Sequence, residues 1–196
     1  RLHELSIHRN DLKSLLFSSP VDVHGALNLV EDPDYEVRAR QAERTAEVLA
    51  GAHRRVRTHP AEYNALVLAA ETTAFGLQQG LRLRDAYVEY VNAEWAWHRG
   101  DGRDGTVAHL RKVVGILDEM RAKVQAMCEA VSEEWDRTRY RRDRKKFVRE
   151  VETTPCFPDA LLGRLVRSHA YLRRVVRNLK SGVASFRRGG PFPTCF

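Results

Sequence analysis

The residues from Asp104 to Lys146 limit the fold more than any other stretch of this 196-residue chain. Val107, Leu110, Val114, Leu117, Arg121, Val124, Cys128, Val131 and Trp135 recur at steps of three and four, and Val113, Met120 and Met127 widen the stripe. Side chains at that spacing share a face only on an α-helix, where successive turns stack them above one another. A second periodic run, with Tyr63, Leu66, Ala70, Thr73, Leu77, Leu81, Val88, Val91 and Trp95 inward, precedes it. Its roughly 35 residues make a rod near 50 Å long at about 1.5 Å per residue.

Between the two runs lies HRGDGRDG, residues 98–105, with three glycines and two aspartates. A link that short makes the helices antiparallel neighbours. Folding about residue 102 pairs positions whose numbers add to about 204, so Val91 faces Val113 and Leu77 faces Met127 and Cys128. Trp135 then rests on Ala69 and Ala70, large opposite small. Gly76 and Gly80, four apart, leave a shallow groove for a neighbouring helix.

The flanks read as helices too. Residues 4–17 carry Leu5, Leu12, Leu15, Leu16 and Phe17, a short amphipathic helix stopped by Pro20. VDVHGALNLV, residues 21–30, is an apolar connector. Asp32 caps the next helix, with Pro33 at its first position and Asp34 and Glu36 against the dipole. That helix runs to about Val56, with Val37, Thr45, Val48, Leu49, Ala52 and Val56 inward. Thr58-His59-Pro60 opens the 63–95 run, and Thr153-Thr154-Pro155 closes the one after residue 104. A last helix starts at Pro158-Asp159 and uses Leu161, Leu162, Leu165, Leu172, Val175, Val176 and Leu179 to about Lys180. The expected fold is all-α: an antiparallel bundle of long helices over residues 1–180, with a short N-terminal helix and a disordered C-terminal tail over 181–196.

Charge is uneven. Residues 1–131 hold 17 Lys/Arg against 19 Asp/Glu, whereas residues 132–196 hold 16 against 7, so the net +7 comes from the last third. Such asymmetry fits an anionic partner or a solvated helix end. Arg137, Arg139, Arg141, Arg142, Arg144, Lys145, Lys146 and Arg149 surround Tyr140 and Phe147, spread round the helix without a zinc-finger or basic-zipper signature. Arg137, Arg139, Tyr140, Arg141 and Arg142 are the contact candidates there. Trp97, off the apolar stripe, is another, whereas Trp95 on the stripe reads as buried. No apolar run reaches the roughly 20 residues that cross a bilayer.

Chemistry is harder to find. The register brings His98 and His109 to one end, near Glu94 and Asp101, but no two histidines are four apart, so no metal or cofactor is expected. There is no GxSxG, no phosphate loop and no CxxC. Asp118-Glu119 and Glu133-Glu134 point about 100° apart on one helix and read as surface charge. Cys128 reads as a small buried hydrophobe, and Cys156 and Cys195 as unpaired.

PVDVHG, EDPDY and the W-x-R-T-R-Y phrase at Trp135–Tyr140 carry one resemblance. Residues 18–150 resemble the C-terminal helical region of bacterial chains in the β-N-acetylhexosaminidase-like (family 20) glycoside hydrolases. The resemblance implies an accessory, non-catalytic helical domain. Its partner would be an N-terminal (β/α)₈ catalytic barrel, or another subunit, acting on N-acetylhexosamine-type sugars. The family's catalytic Asp-Glu pair follows a barrel strand, and Asp118-Glu119 lies within a helix, so no catalytic residue carries over. The alternative expectation is a free-standing basic bundle that binds nucleic acid or a protein through residues 137–188.

Overall fold

A computed structural model describes residues 34–138 and 159–193. Four α-helices account for nearly all of them: α1 Tyr35–Ala52, α2 Pro60–Arg99, α3 Gly102–Thr138 and α4 Asp159–Arg187. A 3₁₀ turn, His53–Arg55, follows α1, and no strand occurs among the described residues. The all-α antiparallel bundle is therefore observed: α1 packs on α2, α2 on α3, and α3 on α4. The expected helix over residues 4–17 lies outside the described residues, as does the Asp32 cap. Asp34 holds the N-cap position of α1, without a side-chain cap bond.

The α2 boundaries follow local chemistry. His59 enters with φ 53°, Pro60 sits at the first turn where its missing N–H costs nothing, and Glu62 faces the helix dipole. Gly100, at φ 81°, takes the left-handed position that ends the helix. Its amide donates to Trp97 O, and that of Asp101 to Ala96 O, which satisfies the last carbonyls. The turn spans Gly100 and Asp101 alone, and α3 starts at Gly102.

Helix α2 is buried on two opposite sides, and this corrects the sequence reading. Leu77, Gly80, Leu81 and Arg84 face α1: Tyr35 Oη donates to Leu77 O (3.2 Å), Arg84 Nη1 meets Glu36 at 2.8 Å, and Gln78 bonds Glu43. Half a turn round, Leu68, Phe75, Leu83, Ala86, Tyr90 and Ala93 pack into the main core against α3 and α4. Trp97 lies on that same side. The stripe inferred from 63 to 95 is the α1-facing one. It runs out of cover where α1 begins, so Val88 is 50% exposed and Trp95 61%, the opposite of the expected burial. Leu66, Val37 and Val48 are also exposed rather than inward.

The antiparallel pairing of α2 with α3 holds, but its register and facing residues differ from expectation. Glu89 reaches His109 (2.7 Å) and Lys112 (3.2 Å), and Thr72 Oγ1 lies 3.7 Å from Met127 Sδ. These positions add to about 200, one turn from the expected 204. Val91 lies on the α1 side, away from the fully buried Val113. The expected seat of Trp135 falls on a side chain outside the described set. On α3 itself the inferred stripe stands: Val107, Leu110, Val113, Leu117, Met120, Val124 and Val131 are buried.

The last helix also continues past the expected end at Lys180. Val183 and Phe186 are buried, and α4 reaches Arg187. Residues 188–193, read from sequence as part of a disordered tail, fold back. Gly189 at φ 106° closes α4, with the Gly189 amide on Phe186 O and that of Gly190 on Ser185 O. Phe192 stacks edge-on against Tyr90 and Phe186, and Pro193 is buried. Residues 194–196 lie outside the described set.

Candidate anion-binding face

Helix α4 forms one edge of the row. Its inward side holds Leu165, Leu172, Val176, Leu179, Val183 and Phe186, spaced three, four and seven apart. That fixes what points out. Arg167, Arg174 and Arg177 are exposed on the far side and Arg173 on the flank, with Arg187 and Arg188 exposed at the end. The helix carries a single acid, Asp159, at its start. Among the described residues Arg167, Arg173 and Arg177 have no ion-pair partner, and Arg174 lies over the Tyr171 ring at 5.6 Å. From Arg167 to Arg177 the helix advances about 15 Å. Four guanidinium groups over that length present fork-shaped donors suited to phosphate or carboxylate.

The end of α4 is held by Arg103, from the first turn of α3. Its Nη1 donates to Phe186 O (2.6 Å) and Gly190 O (3.0 Å), and Nη2 to Gly189 O (3.4 Å). The guanidinium also lies 5.1 Å from the Trp97 ring centre and 4.6 Å from that of Phe186. A cation at the negative end of a helix is stabilising, and here both ring faces and free carbonyls receive it. Tyr90 Oη adds a bond to Pro193 O (3.3 Å). Midway along, Lys180 Nζ meets Asp118 (2.8 Å), which Arg121 also holds (2.7 Å). The Lys180 and Arg121 bonds pull the Asp118 carboxyl below its usual range.

Trp97 is the one contact candidate whose side chain is described. It stands 37% exposed, edge-on to Phe186 at 5.0 Å and beside Arg103, so one side of the indole is engaged within the fold. The side chain of Arg137 and residues Arg139, Tyr140, Arg141 and Arg142 lie outside the described residues. His98 and His109 do not build a metal site: His109 pairs with Glu89, and no group of three or more His, Cys, Asp or Glu side chains is placed to hold an ion among the described residues. The Cys128 thiol is pushed up to about 11 by burial and by Glu129, which suits the packing role read from sequence and not that of a nucleophile.

Sequence reasoning did not single out the α4 arginines, although they fall within the 137–188 range of the alternative reading. The signal was present: Arg167, Arg174 and Arg177 sit opposite Leu165, Leu172 and Val176 on the helical wheel. Denser charge at 137–149 drew the reading away from it. No described helix is long and apolar enough to cross a membrane. No family model matches the chain, and neither the curated proteins nor the solved structures give a match.

Proposed function

We propose that this chain is a non-catalytic helical module whose edge helix α4 docks on a polyanion, with nucleic acid the first candidate. The observation that supports it is the outward arginine face of α4, with no ion-pair partner at Arg167, Arg173 and Arg177 among the described residues, on a helix with one acid. Those groups meet a backbone lattice of phosphates by charge and fork geometry, without reading bases. Titrating the chain against duplex and single-stranded DNA at two salt concentrations tests it. Binding that weakens steeply with salt supports the reading, and no binding at low salt removes it.

A second reading makes the bundle an accessory domain of a glycoside hydrolase acting on N-acetylhexosamine-type sugars. It is supported by the sequence phrases PVDVHG, EDPDY and Trp135–Tyr140. Its test is the reading frame upstream of Arg1. A (β/α)₈ barrel encoded there supports the accessory role, and an upstream frame without one ends it.

A further inference from the structure

The outward cations of α4 are not evenly spaced. Arg167, Arg174 and Arg177 stand on the far side of the helix, and Arg188 follows in the turn after it. Between Arg177 and Arg188 the exposed positions on that side are Asn178, Ser181 and Ala184, short and uncharged. Within residues 178–186 the one cation, Lys180, is drawn aside to Asp118 of α3 (2.8 Å). From Arg177 to Arg188 the chain advances about 16 Å. The far end of that interval is held in place: the Arg188 amide donates to Ser185 O (2.9 Å), and Arg103 binds the carbonyls of Phe186, Gly189 and Gly190 around it. The fold therefore sets two cationic groups at a fixed separation, with a neutral gap between them.

We propose that α4 straddles the major groove of B-form DNA, with Arg167, Arg174 and Arg177 on the phosphates of one strand and Arg188 on those of the other, a placement that rests on the polyanion reading of α4. A single strand offers one line of phosphates, against which an even row of cations would serve best. A duplex offers two lines with an open groove between, and the neutral stretch of Asn178, Ser181 and Ala184 lies over that opening. The arginine arms need lean inward by only about 2 Å at each end to match the roughly 12 Å width of the major groove. The roughly 6 Å minor groove would need about 5 Å at each end. Guanidinium forks at both rims grip phosphate, and the short side chains between them leave the base edges unread.

Groove-specific competition on the full chain tests this. The chain is bound at low salt to a labelled A·T-rich duplex, and methyl green, which occupies the major groove, or netropsin, which occupies the minor groove, is added. Both competitors are dications, so charge alone favours neither. Displacement by methyl green, with netropsin at least tenfold less effective, is the expected result. In parallel, Arg188→Gln should shallow the slope of log K against log salt by about 1 on the duplex and leave it unchanged on one isolated strand, where the second line of phosphates is missing. Displacement by netropsin as readily as by methyl green, or an equal change of slope on duplex and single strand, overturns the straddling and leaves the polyanion reading standing. Binding to neither nucleic acid overturns both.

Discussion

Gly80 offers the sharpest test of how α1 sits on α2. A Cβ built there overlaps Tyr35 Oη and lies 3.0 Å from Tyr35 Cζ, and Tyr35 is only 4% exposed. The substitution Gly80→Ala must therefore move a buried ring. Moving it breaks the bond from Tyr35 Oη to Leu77 O, worth about 1 kcal/mol net. Overpacking of this kind costs roughly 1–3 kcal/mol in total. Alanine returns up to ~1 kcal/mol through helix propensity. With that return the balance is a loss of up to about 2 kcal/mol. Replacing Tyr35 by Phe deletes the overlapping atom, so Gly80→Ala should cost about 1 kcal/mol less in a Tyr35→Phe background. Gly115 is the control: it is an exposed helical glycine with nothing within 4 Å of its Cβ, and Gly115→Ala should stabilise by up to ~1 kcal/mol. Urea denaturation followed at 222 nm for wild type, the three single variants and the double variant measures all of these. If Gly80→Ala stabilises as Gly115→Ala does, with no coupling to Tyr35, then α1 does not pack where described.

Three further outcomes follow from the same contacts. Arg103→Lys keeps the charge but loses the fork shared among Phe186, Gly189 and Gly190 carbonyls; a loss of about 1–3 kcal/mol and earlier hydrogen exchange at residues 186–190 are expected. Glu89 is held below its ordinary 4.5, first by the His109 bond and then by Lys112, so its contribution is complete above that value and is lost as pH falls through the lowered one. Glu89→Gln should flatten that part of the acid limb of stability against pH, and an unchanged acid limb would break the link. With Cys156→Ser and Cys195→Ser in place, Cys128 at about 11 should be about one part in a thousand thiolate at pH 8 and react sluggishly with Ellman's reagent. Rapid labelling of the folded protein would contradict its burial.

The fold class was readable because α3 has a single apolar face, so its buried set from Val107 to Val131 follows one period. Helix α2 was misread for the opposite reason. Its two buried sides are opposite, one on α1 and one on the main core, so it carries two stripes, and the one with larger residues, through Val88 and Trp95, outweighs the small Ala86 and Ala93 that are fully buried. The register inherited that error, since Val91 and Val113 look toward different neighbours. The chain after Lys180 looked like a tail because glycine and proline interrupt the period. Its order comes from contacts distant in sequence, Arg103 on Phe186 O and Tyr90 on Pro193 O, which no local pattern announces. Of the contact candidates, Trp97 is half engaged inside the fold, and the α4 arginines were visible only once the buried side of that helix was fixed.

The salt dependence of DNA binding reports directly on the outward side of α4. Four to five arginine–phosphate contacts predict a slope near −4 for log K against log salt on duplex DNA, about a 250-fold loss of affinity from 50 to 200 mM salt. Arg167→Gln, Arg174→Gln and Arg177→Gln together should shallow that slope by about 3 and leave the helical signal unchanged. A slope unaltered by the triple substitution would place the binding charge elsewhere and contradict the reading of α4.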